Sequence, residues 1–217
     1  MRTAVCVLLA LLCASPVAAQ APDRWEADIA AFEAADKVSP PPKGGIVFVG
    51  SSTIRLWDTA SYFPDLKIIN RGFGGSDMED IVRYADRIVI PYEPRLVVVY
   101  SGDNDISAGW NSEDVAIQFE RFTRIVHARL PQTKILLIAV KPSLLRWRQI
   151  DRMRMANQVL RNFCERDDRL GFIDFDTLML GWDDKPRREL FVEDGLHLSA
   201  QGYQLWSTVL RPWLTAP

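Results

Sequence analysis

The sequence predicts an α/β protein: a three-layer α/β/α sandwich around a five-stranded parallel sheet of flavodoxin-like order. Three observations carry that prediction. Beyond Gly45, short apolar runs alternate with longer amphipathic segments, the pattern of strands joined by crossover helices. The runs LVVVY and ILLIAV are continuous rather than alternating, as strands covered on both faces require. Right-handed crossovers then leave few orders in which such strands can lie side by side.

Taken in chain order, Trp25, Ile29, Phe32 and Ala35 recur at helical spacing and predict a helix over about 23–37. The prolines of Ser39–Lys43 (SPPPK) stop it. Strands are expected at Ile46–Val49, Lys67–Asn70, Arg95–Tyr100, Lys134–Val140 and Gly171–Phe175. Helices are expected at Asp77–Val89, Ser112–Leu130, about Arg148–Arg166 and Ser199–Leu210. No repeat of fixed period interrupts the series.

Composition bounds what such a fold can do. The chain has 217 residues, 48% hydrophobic and 25% charged, which favours a single globular domain. Its 26 Lys and Arg against 28 Asp and Glu give a net charge of -2, without the basic excess that tracks a phosphate backbone, so nucleic acid is not an expected partner. Three Cys and two His are too few for a Cys/His zinc cluster or a disulfide scaffold, and neither a metal nor an organic cofactor is expected. Residues 1–19 carry Arg2, an apolar run to about Ala14 and small residues up to Ala19, the pattern of a secretory signal peptide. Cleavage is expected after Ala19, leaving one domain over 20–217 that is exported, periplasmic or extracellular, without a stable membrane anchor. Cys6 and Cys13 leave with the leader, so Cys164 has no partner for a disulfide. Oligomeric state is not written in the sequence.

In an open α/β sheet, ligands bind beyond the carboxyl ends of the strands. Four chain segments there carry chemistry. Gly50-Ser51-Ser52 follows the first strand, placing a hydroxyl and an unpaired amide at the start of a helical turn. Gly72-Phe73-Gly74-Gly75-Ser76-Asp77 follows the second, where glycines let backbone amides approach a ligand and Ser76 or Asp77 can cap the next helix. Ser101-Gly102-Asp103-Asn104-Asp105 follows the third, too polar for core. Asp194-Gly195-Leu196-His197 sets a carboxylate three residues before an imidazole. Each alone has a structural explanation: a helix cap, a turn, a solvated loop, a surface histidine. Jointly they offer a nucleophile, amide donors, a side-chain donor and an acid/base pair at ends the sheet gathers together. Of the two histidines, His127 falls within the helical stretch FERFTRIVHARL and reads as packing, which leaves His197 as the imidazole base.

These segments resemble the SGNH hydrolases, also called GDSL-type esterases and lipases. VFVGSST resembles the serine motif, NRGFGGS the glycine motif, VVVYSGDND the Gly-x-Asn-Asp motif and DGLH the Asp-x-x-His motif, in the family's order across residues 46–197. The resemblance implies Ser52 as nucleophile, His197 as base and Asp194 as its orienting partner. It implies an oxyanion hole from the Ser52 amide, the Gly75 amide and the Asn104 side chain, and the activity of a serine esterase forming an acyl-serine intermediate. The family's Gly-Asp-Ser is Gly-Ser-Ser here, so Ser51 and Ser52 compete for the nucleophile's place, with Ser52 preferred as the motif's third residue. Gly74 competes similarly with Gly75.

Which ester is cleaved is not legible: small-molecule esters, thioesters, acetylated polysaccharides and phospholipid acyl chains need the same constellation. Arg146 and Arg148, after the fourth strand, either face acidic substrate groups or solvate a helix start. The rival reading is a carbohydrate-binding module using the same crevice, with Trp57, Trp110, Trp147 or Trp182 stacked on sugar rings. Nucleotide binding is disfavoured, because no Gly-x-x-x-x-Gly-Lys is present and Asp77 stands where Gly-x-Gly-x-x-Gly needs glycine.

Overall fold

A computed structural model describes residues 23–215; the expected leader lies outside the described residues. The chain enters through α1 (Glu26–Val38) and β1 (Ile46–Gly50), followed by two single-turn helices, α2 (Ser52–Arg55) and α3 (Thr59–Tyr62). Then come β2 (Ile68–Gly72), α4 (Met78–Ile88), β3 (Leu96–Tyr100), the short α5 (Asp103–Ser107) and α6 (Ser112–Arg129). β4 (Lys134–Ile138), α7 (Ile150–Cys164), β5 (Leu170–Ile173) and α8 (Ala200–Thr215) complete it. All five strands pair in parallel in the order β2-β1-β3-β4-β5, the flavodoxin-like arrangement expected from the sequence.

Strand pleating sends alternate side chains to opposite faces, and two cores result. Val47, Val49, Val97, Val99, Ile135 and Leu137 meet α1, α4, α6 and α7 on one face. Ile46, Phe48, Val98, Tyr100, Leu136 and Ile138 meet α8 and the α2–α3 segment on the other. On that second face Trp206 of α8 stacks on Phe175, with centroids 4.6 Å apart, and lies edge-on to Trp57 and Tyr100. Each such fully buried side chain contributes roughly 1.5–3 kcal/mol.

Helix ends follow local chemistry. Asp77 caps α4: its carboxylate accepts the Asp80 N–H at 2.9 Å while Asp80 accepts the Asp77 N–H at 3.1 Å. Ser76 does not share that role; its hydroxyl donates to the Phe73 carbonyl. Asn111 caps α6 through the Asp114 N–H. α8 runs on through Pro212 to Thr215, past the expected end at Leu210, because Leu214 is buried in the second core and offsets the broken helix bond. α7 begins at Ile150 rather than about Arg148, after a 3₁₀ turn at Trp147–Gln149.

Candidate active site

The carboxyl ends of β1 and β3 are drawn tightly together. A Cβ on Gly50 would stand 2.1 Å from the Tyr100 carbonyl oxygen, so only glycine lets the chain leave β1 here. Ser51 then donates its N–H to that same carbonyl, and α2 starts at Ser52. The Ser52 N–H, first in its helix, has no partner among the described residues. Asn70 supports the turn from β2, its amide donating to the Ile54 and Trp57 carbonyls while its oxygen accepts the Gly72 N–H. Tyr203 of α8 does so from the other side, donating its hydroxyl to the Thr53 carbonyl at 2.8 Å.

Across 145 positions of sequence, the Ser52 hydroxyl lies 2.9 Å from His197 Nε2. His197 Nδ1 lies 2.6 Å from Asp194 Oδ2, which fixes the tautomer with the proton on Nδ1 and the lone pair on Nε2 facing serine. Asp194 Oδ1 accepts the backbone N–H groups of Leu196 and His197, so one carboxylate both folds its own loop and orients the ring. Burial would raise the Asp194 pKa, but the His197 ring and those two amides outweigh it and lower it to about 2. The loop is anchored by the Val192 N–H on the His197 carbonyl and by the Phe191–Leu198 bridge. The imidazole therefore meets Ser52, not Ser51, whose hydroxyl is buried without a partner.

On the glycine and asparagine side, Asn104 donates from Nδ2 to the Ser76 carbonyl at 2.9 Å, joining the loop after β3 to the residue that follows Gly75. Asn has two amide hydrogens, and the second remains uncommitted. Neither Gly74 nor Gly75 gives its N–H to a backbone carbonyl among the described residues, and Gly75 holds a φ of +80°. Asp105, fully buried, accepts the Met78 N–H at 2.9 Å and pins the start of α4 to the same loop. With its second oxygen unpartnered, burial pushes its pKa up to about 6.

Several residues beyond the expected set shape this end of the sheet. Lys141, three residues after β4, is fully buried, 3.1 Å from the Tyr100 hydroxyl and 3.5 Å from Asp103 and the Thr53 hydroxyl. Burial lowers its pKa, with Asp103 opposing the shift. Arg146 turns inward, toward Asp103 and Asn104, so of the two roles open to it from sequence neither an outward grip on acidic substrates nor helix solvation describes it. Asp105 had a sequence signal, its place beside Asn104; Lys141 and Arg146 had only their position after a strand. His127 is remote, bonding the Thr133 carbonyl from the last turn of α6. Trp57 is core rather than a sugar platform, which weakens the carbohydrate-binding reading, while Trp182 is 99% exposed.

A serine hydroxyl, an oriented imidazole and free amide donors at converging strand ends form the constellation of acyl transfer. The sequence model of the GDSL-like Lipase/Acylhydrolase family matches residues 56–205, taking in the glycine, asparagine and histidine segments and beginning just after Ser52. This chain belongs to the GDSL-like lipase/acylhydrolase family. As a GDSL-family protein it is an ester hydrolase. It is 26% identical over 195 residues to platelet-activating factor acetylhydrolase IB subunit alpha2 of Rattus norvegicus, spanning 85% of this chain and 80% of the relative. Its fold matches that of a GDSL-like lipase from Bacteroides thetaiotaomicron at a TM-score of 0.73 and 18% identity, over 87% of this chain and 97% of the other. It likewise matches an acetylxylan esterase from Geobacillus stearothermophilus at 0.64 and 13%, over 81% and 96%. Among the described residues no helix is long and apolar enough to cross a membrane.

Proposed function

We propose that this GDSL-family hydrolase is an exported serine esterase that cleaves carboxylic esters through an acyl-Ser52 intermediate. The observation that carries the reading is the relay Asp194 Oδ2, His197 Nδ1, His197 Nε2, Ser52 Oγ, with spans of 2.6 and 2.9 Å. A serine hydroxyl is a weak nucleophile at neutral pH and needs a base within hydrogen-bond reach. His197 Nε2 takes the Ser52 proton as Oγ attacks the ester carbonyl. Asp194 holds the ring and stabilises the imidazolium. The carbonyl oxygen, now negative, is received by the Ser52 and Gly75 amides and the free Asn104 N–H. The C–O bond to the alcohol breaks and the imidazolium returns its proton to the departing oxygen. Water, deprotonated by the same nitrogen, then attacks the acyl-serine and releases the acid, restoring Ser52.

The preferred acyl group is acetyl, on the activity of the platelet-activating factor acetylhydrolase relatives. Export rests on the leader pattern of residues 1–19. The experiment is a panel of chromogenic acyl esters, acetylated xylan and a thioester, with wild type and Ser52→Ala, beside labelling by a serine-directed phosphonate. Expected are turnover highest on acetyl esters, one phosphonate mapped to Ser52, and neither in the variant. Retained turnover in Ser52→Ala overturns the mechanism; saturable sugar binding indifferent to that substitution, with no ester cleaved, favours the binding module.

A further inference from the structure

The segment that follows β4 joins the two halves of the site. Asn157 of α7 holds its base, with Oδ1 accepting the Val140 N–H at 2.8 Å and Nδ2 donating to the Val140 carbonyl at 2.9 Å. Leu145 gives its N–H to the Gly195 carbonyl at 3.0 Å, inside the Asp194–His197 loop. The next residue reaches the opposite way: Arg146 Nη2 donates to Asn104 Oδ1 at 2.9 Å, and Nη1 forms an ion pair with Asp103 Oδ2 at 3.0 Å without hydrogen-bond geometry. Both side chains are largely shielded, at 14% exposure for Arg146 and 6% for Asp103.

A carboxamide has two nearly isosteric ends, and only one can donate to a negative oxygen. At Asn104 both faces of that choice are answered. The Ser76 carbonyl requires an N–H opposite it and the Arg146 guanidinium requires an oxygen, so the flipped amide would meet a carbonyl with its oxygen and a cation with its N–H groups. Arg146 also brings charge: with Lys141 it flanks the single Asp103 carboxylate beside Asn104, at 3.0 and 3.5 Å.

We propose that Arg146 is a positioning residue for ester hydrolysis, holding the Asn104 amide in the donor-inward orientation that the oxyanion needs. This inference rests on the serine-esterase reading above. Arg146 touches Asn104 and not the reacting atoms, so its effect passes through Asn104 and falls on the transition state rather than on substrate affinity. Loss of one oxyanion donor costs about 10²- to 10³-fold in kcat, which bounds the effect from above.

The test uses p-nitrophenyl acetate with wild type, Arg146→Met, Arg146→Lys, Asn104→Ala and the double variant Asn104→Ala/Arg146→Met, with Ser52→Ala alongside. Arg146→Met is expected to lower kcat about tenfold or more with KM within about twofold, and Arg146→Lys, which keeps the charge but not the planar fork, to restore part of it. In the Asn104→Ala background the Arg146→Met change is expected to cost less than about twofold, the signature of two residues acting as one. The proposal is overturned if Arg146→Met leaves kcat unchanged, raises KM alone, or costs the same with and without Asn104. Should near-ultraviolet circular dichroism show Arg146→Met unfolded, Arg146→Lys with and without Asn104→Ala decides by the same criterion. Turnover surviving in Ser52→Ala would overturn the serine-esterase reading itself; its loss there, with an additive Arg146 effect, overturns only the positioning role.

Discussion

Asp105→Asn tests whether a buried carboxylate holding two loops of the site together is kept at a cost to the fold. Asp105 has one hydrogen bond, from the Met78 N–H, and a second oxygen with no partner among the described residues. Burial, with Asp77 and Asp103 adding repulsion against the Met78 bond, raises its pKa from 3.8 to about 6. A carboxyl whose pKa is higher folded than unfolded binds its proton more tightly in the native state. Stability from this group is therefore greatest below pH 4, falls as pH rises through 4 to 6, and stays low above. A shift of about two units at about 1.4 kcal/mol each makes the difference about 3 kcal/mol. Asparagine can still accept the Met78 N–H through its oxygen and has no charge to bury. Urea unfolding of both proteins at pH 4, 5, 6 and 7 isolates the effect, since other carboxylates cancel in the comparison. The stability of Asp105→Asn relative to wild type is expected to climb by about 2 kcal/mol between pH 4 and pH 7, the rest of the difference lying below pH 4. A difference constant across that range would refute the assignment of the raised pKa to Asp105.

The site and the core offer further tests. Asp194→Asn leaves an oxygen for the Leu196 and His197 amides but sets an NH₂ against His197 Nδ1, so kcat should fall about 10³-fold or more in stopped-flow hydrolysis while the loop stays folded. Because its pKa is depressed to about 2, the stabilisation Asp194 contributes is complete above pH 4 and is lost as pH falls towards 2, which acid titration followed by circular dichroism would register. Gly50→Ala would drive a Cβ to 2.1 Å from the Tyr100 carbonyl, and should cost about 3 kcal/mol in thermal unfolding together with ester turnover. Trp206→Ala removes the ring stacked on Phe175 and packed on Trp57 and Tyr100, with an expected loss of about 3–5 kcal/mol by urea titration.

β1, β3 and β4 were legible because each is an apolar run whose burial on both faces writes itself as continuous Val, Leu and Ile, while the flanking strands β2 and β5 show shorter apolar runs between turn residues. The long helices were legible from their period. α2, α3 and α5 were not, since four or five residues contain too few turns to show a period and are set by how the chain leaves a strand. Trp57 illustrates the same gap: sequence gives it no direction, and only Phe48, Phe63 and Trp206 around it make it core.

By itself, the sequence determined the parallel sheet, the family resemblance and the chemical character of each strand end, because those follow from local pattern and motif, while the handedness of crossovers narrowed the strand order to a few possibilities. Tertiary structure alone decided that Ser52 rather than Ser51 meets His197, that Asp105 pins α4, and that Arg146 turns inward to Asn104. The reason is distance along the chain: a 2.9 Å contact between residues 145 positions apart is fixed by the packing of α2 and the His197 loop at the carboxyl end of the sheet, and no spacing in the sequence encodes it.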